Sequence, residues 1–264
     1  MDTRPIGVFD SGMGGLTAVR QMIRLLPGED IVYFGDTGRV PYGGRSVETI
    51  VRYARQDVAF LRSFDLKAIV IACGTVSTTA LHLLKNENAI PILGVVQPAA
   101  NAAVQATKSG NIGIIGTKAT IRSGAYEASI RALLPEAKLT AKACPLLVPL
   151  VEDGRVRRGD FVTERVVEEY LSPVKAAGVD TLVLGCTHYP LLADVISDYM
   201  GAGVTLIDTG EQAALAAAAL LGEQGRLNDA SRAGERRYYA SDSAADFAAT
   251  ASLYLGADIS GLVE

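Results

Sequence analysis

Two cysteines stand in matching settings 113 positions apart, Cys73 and Cys186. Each follows a short apolar run that reads as a buried strand: Ala68-Ile69-Val70-Ile71 before Ala72-Cys73-Gly74-Thr75, and Thr181-Leu182-Val183-Leu184 before Gly185-Cys186-Thr187-His188-Tyr189-Pro190. The C-terminal end of a parallel strand is where α/β folds place their chemistry. A thiolate is the reactive form of cysteine, and a helix N-terminus lowers a thiol's pKa. Two acid–base groups on opposite sides of one carbon suit removal of a proton from one face and its return on the other, which is racemisation or epimerisation. A single cysteine would instead suggest covalent catalysis.

Other residues fit around this pair. Asp10 ends a strand-like run, Ile6-Gly7-Val8-Phe9, placed to assist Cys73. His188, two residues past Cys186, is placed to exchange a proton with that thiol, and Glu152 to orient the histidine. Ser11, Thr75, Thr117 and Thr187, with backbone N–H groups at helix starts, are candidate holders of carboxylates.

The bland alternatives set the scale of the inference. A cysteine at a strand end is ordinarily a small buried hydrophobe, and Cys144, before Pro145, keeps that reading. His82, between Leu81 and Leu83, reads as structural or exposed. Glu152 and Asp208, taken singly, read as surface or capping acids. The matched pair of cysteine contexts is what argues for chemistry.

These residues need a scaffold, and the chain of 264 residues, 49% hydrophobic, is ample for one large α/β domain or two smaller ones. The net charge of −4 gives no basic footprint for nucleic acid. No apolar run approaches the roughly 18 residues of a membrane span. The start of the chain shows no signal-peptide pattern, so a cytoplasmic location is the expectation. Three cysteines are too few and too sparse for a disulfide framework, and no C-x-x-C or H-x-x-x-H spacing suggests a metal site.

Strand-like and helical patterns alternate throughout, which implies parallel sheets covered by helices. Strands are expected at 6–9, 31–34, 67–72, 91–96, 139–143, 181–184, 204–207 and 236–240. Helices are expected at about 47–64, at 121–134 without a break, at 161–177 with a kink at Pro173, at 214–221 and at 244–255. Thr75, Ser77 and Thr78 are expected to cap the helix after Cys73, and Gly222 to Gly234 to form a surface loop. The glycine-rich turn Asp10-Ser11-Gly12-Met13-Gly14-Gly15 matches neither a dinucleotide fingerprint nor a Walker loop. Ile112-Gly113-Ile114-Ile115-Gly116-Thr117 echoes Ile6 to Ser11 at an offset of 106, which points to internal duplication. The expectation is an α/β fold of two similar parallel-sheet domains related by a pseudo-twofold axis, with the active site in the cleft between them. The first domain would take residues 1–96 plus 207–264, the second residues 97–206.

Taken together, Ile6-Gly7-Val8-Phe9-Asp10-Ser11-Gly12-x-Gly14-Gly15, Pro41-Tyr42-Gly43, Ala72-Cys73-x-Thr75, Val148-Pro149-Leu150-Val151-Glu152 and Leu184 to Pro190 resemble the bacterial glutamate racemases of the aspartate/glutamate racemase family. The resemblance implies a cofactor-independent isomerase, with no metal, that supplies D-glutamate for peptidoglycan synthesis. Its one partner would be a small-molecule substrate, with neither nucleic acid nor membrane, and a homodimer is one option for its assembly. By position, Cys73 and Cys186 match the catalytic bases, and Asp10, Glu152 and His188 the assisting groups. Asp10, Ser11, Pro41, Tyr42, Gly43, Gly74, Thr75, Thr117 and Thr187 match substrate-holding positions. Gly74 departs from the family's usual asparagine, so a side-chain amide is absent beside the first cysteine. The alternatives are a racemase of aspartate, a one-thiol hydrolase or transferase, and a non-catalytic binding protein for an acidic amino acid.

Overall fold

A computed structural model of the chain describes residues 1–229 and 231–264. It divides into two compact units, Met1–Val95 with Gly210–Glu264, and Val96–Thr209. The strands, in chain order, are β1 (Ile6–Asp10), β2 (Ile31–Gly35), β3 (Ala68–Ile71), β4 (Ile92–Gly94), β5 (Asn111–Gly116), β6 (Lys138–Ala143), β7 (Thr181–Leu184), β8 (Thr205–Asp208) and β9 (Arg236–Ala240).

Every named strand pair is parallel. The first unit orders its sheet β4-β3-β1-β2-β9, and the second β6-β5-β7-β8. Read from the other edge, the first four-strand block has the same connectivity as the second, with β9 added alongside β2. The echo between Ile6 and Ile112 is therefore an echo of central strands, since β1 and β5 each lie inside their sheet. A central parallel strand is covered on both faces and reads as an apolar run, and all five residues of β1 are buried, Asp10 at its end included. The edge strand β6 is half exposed, and its sequence Lys-Leu-Thr-Ala-Lys-Ala alternates accordingly.

The repeated Ile-Gly step has a packing cause. A Cβ on Gly7 would meet Leu66 Cδ1 at 2.5 Å and Leu61 Cδ1 at 3.4 Å. A Cβ on Gly113 would meet Leu182 Cδ1 at 2.8 Å and Val174 Cγ1 at 2.9 Å, with Val179 Cγ2 at 3.5 Å. Leu61 and Leu66 stand 113 positions before Val174 and Val179, the same offset that separates the cysteines. In each unit the crossover helix leading to the cysteine strand closes directly over a central-strand glycine.

The helix 47–61 starts at Ser46, whose Oγ accepts from Thr49 N at 3.3 Å. The alanine-rich helix 96–106 packs Ala99, Ala100 and Ala103 against Ile112, Ile114, Val183 and Ile207. The C-terminal segment is tied into the first unit by buried Lys67, which pairs with Glu29 and donates to the carbonyls of Asp2 (2.7 Å) and Arg226 (3.0 Å).

Several local expectations need correction. The stretch 121–134 is two helices, 118–123 and 125–133, broken where Gly124 takes φ +65°. Thr75, Ser77 and Thr78 lie inside the helix 74–79, whose N-cap is Cys73 itself. Ser77 instead donates to Ile71 O (3.1 Å) and accepts from Val95 N (3.3 Å), joining the ends of β3 and β4. The helix 161–176 carries Pro173 within its last turn. Ser172 Oγ donates at 3.4 Å to Glu169 O, the carbonyl that a proline cannot reach. The helix expected to start at Ala214 starts at Thr209 and reaches Glu223, which shortens the loop expected at 222–234; Ala230 of that loop lies outside the described residues.

Candidate active site

The first unit builds one thiol centre at the ends of β1 and β3. Asp10 closes β1 and is buried, with its Oδ2 accepting from Gly12 N at 3.1 Å. Gly15 makes room for it, since a Cβ there would sit 2.5 Å from Asp10 Cβ. Tyr33 Oη donates to Gly12 O at 2.8 Å and fixes the glycine turn. Phe9 and Ile71 are register partners, and Ala72 N donates to Phe9 O at 2.9 Å. The next residue, Cys73, thereby comes beside the Asp10-Ser11 turn, and its Sγ lies 3.3 Å from Ser11 Oγ.

Burial and the adjacent Asp10 carboxylate push the Cys73 thiol up to about 12. The Ser11 hydroxyl and the N–H groups of Val76 and Ser11 pull the other way and do not overcome them. At neutral pH Cys73 is a thiol, which is the form that donates a proton. Gly74 and Thr75 open the helix behind it and are buried.

The second unit builds the other centre at the end of β7. Gly185 N donates to Ile115 O at 2.7 Å, the counterpart of the Ala72–Phe9 bond. A Cβ on Gly185 would lie 2.6 Å from that same carbonyl, so only glycine fits between strand and cysteine. Cys186 Sγ lies 3.8 Å from His188 Nδ1, and His188 Nε2 lies 3.2 Å from Glu152 Oε1. Thr187 Oγ1 stands 3.4 Å from the same Nδ1. Glu152 closes the short helix 147–152 and is 44% exposed at its side chain, whereas His188 is buried at 9%. Acid, imidazole and thiol thus form a chain that can carry a proton between solvent and sulfur.

Tyr189 Oη donates to Cys144 O at 2.9 Å, and Thr209 Oγ1 donates to Leu184 O at 3.1 Å. Both bonds pin the turn that carries Cys186 and His188. Cys144 is fully buried, its Sγ 3.5 Å from Lys142 O, and burial pushes its thiol up to about 12. It serves by its carbonyl. His82 is exposed on the helix 81–87.

The remaining candidates sit as follows. Thr117 caps the helix 118–123, its Oγ1 accepting from Thr120 N at 3.2 Å. In the loop after β2, Pro41 is exposed, Tyr42 buried and Gly43 half-buried. The Tyr42 hydroxyl points inward, donating to Asp36 Oδ2 and lying 3.1 Å from Asp57 Oδ2. What this segment can offer a ligand is its backbone. Asp36, Arg39 and Asp57 escaped sequence reasoning because nothing in their spacing announces a cluster. Tyr189 was visible in the Cys-Thr-His-Tyr-Pro run, but its role depends on Cys144, 45 positions away. Among the described residues no group of three or more His, Cys, Asp or Glu is arranged to hold a metal ion, and no helix is long and apolar enough to cross a membrane.

The profile of the Asp/Glu/Hydantoin racemase family matches residues 6–218. The glutamate racemase of Geobacter metallireducens is 45% identical over 256 residues, covering 97% of this chain and 94% of its own. The glutamate racemase isoform RacE1 of Bacillus anthracis superposes with a TM-score of 0.94 at 40% identity, covering 100% of this chain and 97% of its own. The glutamate racemase of Francisella tularensis, solved with D-glutamate, gives a TM-score of 0.91 at 37% identity, with coverage of 100% and 97%.

Proposed function

The chain belongs to the Asp/Glu/Hydantoin racemase family, and from that premise we propose that it is a cofactor-independent glutamate racemase. It interconverts L- and D-glutamate and supplies the D-isomer for peptidoglycan synthesis, and so for cell-wall biogenesis and cell shape. The observation that carries the reading is the pair of thiol centres, each ending the third strand of its block and each with its own acid partner.

Racemisation needs a base on one face of the α-carbon and an acid on the other. With L-glutamate, the Cys186 thiolate removes the α-proton and the Cys73 thiol donates to the opposite face. With D-glutamate the roles reverse. His188 accepts the Cys186 proton before the reaction and is held in orientation by Glu152. Asp10 keeps Cys73 protonated until substrate binds; the substrate ammonium, arriving beside that carboxylate, eases later ionisation of the sulfur. Ser11, Thr75, Thr117 and Thr187, with backbone groups of Pro41, Tyr42, Gly43 and Gly74, hold the carboxylates and the amino group.

Incubating each enantiomer in D2O tests this directly. Deuterium should enter the α-carbon as optical rotation changes, and Cys73→Ala and Cys186→Ala should each abolish racemisation. Absence of exchange in the unaltered protein rejects the function, and full activity in either variant rejects the two-thiol mechanism. We further propose a cytoplasmic location and a homodimeric assembly, the latter checked by sedimentation equilibrium.

A further inference from the structure

The first unit holds a polar cluster that the reaction as described does not use. Asp36 and Arg39 come from the turn after β2, Tyr42 from the loop that follows, and Asp57 from the third turn of the helix 47–61. Asp36, Asp57 and Tyr42 are buried. Arg39 Nε pairs with Asp36 Oδ2 at 2.6 Å, and its Nη2 donates to Asp57 Oδ1 at 2.8 Å. Ser241 Oγ donates to Asp36 Oδ1 at 2.7 Å. The Arg39 guanidinium also lies 4.4 Å from the centre of the Tyr53 ring, which in turn contacts the Tyr42 ring at 5.3 Å.

Counting protons shows what this arrangement needs. Tyr42 has one hydroxyl hydrogen, and it goes to Asp36 Oδ2. Asp57 Oδ2 nevertheless sits 3.1 Å from the same phenol oxygen. One phenol hydrogen cannot serve both contacts, so a second hydrogen sits on one of the two carboxyls; Asp36, which already accepts from Arg39 Nε and Ser241 Oγ, is the carboxylate, and that hydrogen falls to Asp57 Oδ2. Charge counting agrees: Arg39 neutralises one buried carboxylate, and a second would be left uncompensated.

We propose that Asp57 is a positioning residue for the racemase reaction: as a carboxylic acid it donates from Oδ2 to Tyr42 Oη, this bond holds the Pro41–Tyr42–Gly43 segment in place, and ionisation of Asp57 lets that segment go. This rests on the reading of Pro41 to Gly43 as a substrate-holding segment. Tyr42 is the tie point, since it alone of the three is buried while its neighbours reach the surface. The groups facing Asp57 from the surrounding elements are Asp36, Arg39, Tyr42 and, from the end of β1, Asp10. Burial and the Asp36 charge push Asp57 up to about 8, with the Arg39 guanidinium pulling the other way. The tie is intact at neutral pH and opens in mildly alkaline solution.

The test compares the full chain with Asp57→Asn, Asp57→Ala and Tyr42→Phe. Asparagine keeps both bonds, with its amide NH2 toward Tyr42 and its carbonyl toward Arg39, and it does not titrate. In the unaltered protein KM for glutamate should rise about fivefold between pH 7 and pH 9 relative to Asp57→Asn, which should match it at pH 7 within about twofold. Asp57→Ala should show the raised KM at every pH, with kcat changed less, and Tyr42→Phe should resemble it. A second readout is independent of activity: tryptic cleavage after the exposed Arg45, normalised to a reporter peptide, should accelerate above pH 8 in the unaltered protein and stay flat in Asp57→Asn. Superimposable KM and cleavage profiles for the unaltered protein and Asp57→Asn would overturn the proposal, as would an unchanged KM in Tyr42→Phe. If the unaltered protein fails to racemise glutamate, the functional reading fails while the cleavage profile still decides whether Asp57 holds the loop. If Asp57→Ala does not fold, Asp57→Asn and Tyr42→Phe carry the decision.

Discussion

Glu152 Oε1 lies 3.2 Å from His188 Nε2, and the other ring nitrogen of His188 faces Cys186. The acid is partly in solvent and the imidazole is not. A half-exposed contact between an acid and an imidazole is worth little as a stabilising contact, so the value of this one is orientation and proton traffic. Glu152→Gln should leave the thermal midpoint almost unchanged and lower kcat roughly tenfold. His188→Asn should lower it further. Since kcat/KM must stay equal in the two directions, asymmetry will appear elsewhere. The primary isotope effect with α-deuterated L-glutamate should grow more than that with the D-isomer, because the proposed mechanism makes Cys186 the base in the L-direction. Equal growth for both isomers would reject the assignment of His188 to Cys186.

Asp10 and Cys73 make a second, separable prediction. Burial is the first cause of the raised thiol pKa and the Asp10 charge the second. Asp10→Asn removes the second, so the thiolate fraction of Cys73 should increase. Alkylation of Cys73 by iodoacetamide at pH 8, followed by peptide mass spectrometry, should run several-fold faster in the variant. Racemisation should slow in the same protein. A slower or unchanged alkylation rate would show that Asp10 does not govern this thiol.

Gly113 tests the packing of the duplicated scaffold away from any thiol. Its would-be Cβ meets a Val174 methyl at 2.9 Å, and a β-branched side chain has no free rotamer to escape into. Gly113→Ala should lose about 1–3 kcal/mol in urea unfolding. Gly44→Ala, with nothing within 4 Å of its added Cβ, should stay within about 0.5 kcal/mol of the unaltered protein.

Asp57 also predicts how stability changes with pH. Its native pKa of about 8 lies above the ordinary carboxyl value of 3.8. The native state therefore binds the proton more tightly, and the stability this gives is complete below the ordinary value and lost as pH rises through about 8. Asp57→Asn removes that dependence. Relative to the unaltered protein the variant should gain stability from pH 5 to pH 9 in urea titrations. A constant difference across that range would place Asp57 as an ordinary carboxylate.

Gly74 is the place where this chain departs from the asparagine usual in the family it resembles. Gly74→Asn would add an amide beside Cys73 and replace a glycine at the first position of a helix. KM for glutamate should fall about threefold to tenfold, the worth of one hydrogen bond. Steady-state kinetics at pH 7 decide it, and an unchanged or raised KM would show that no substrate group lies within reach.

Much of this protein was legible along the chain. Alternating apolar runs and helical spacing identify a parallel α/β fold because a buried parallel strand is built largely of apolar residues, and the 106 and 113 offsets register the duplication. The two cysteines, Asp10, and the Thr187-His188 step were visible because strand-end chemistry is local: a few residues after an apolar run suffice to place it. Helix starts and breaks were less legible. Cys73 caps its own helix, and Gly124 divides a helical pattern that periodicity alone reads as continuous.

Tertiary structure decided what depends on neighbours distant in sequence. It turned the Tyr42 hydroxyl inward toward Asp36 and Asp57, made the Cys144 carbonyl an anchor for Tyr189, and gave Cys73 its high pKa through burial beside Asp10. The physical reason is the same in each case. Residue type fixes which protons a side chain can hold or give, whereas desolvation and the charge of the nearest neighbour decide which of those states exists, and both are set only when the chain has folded.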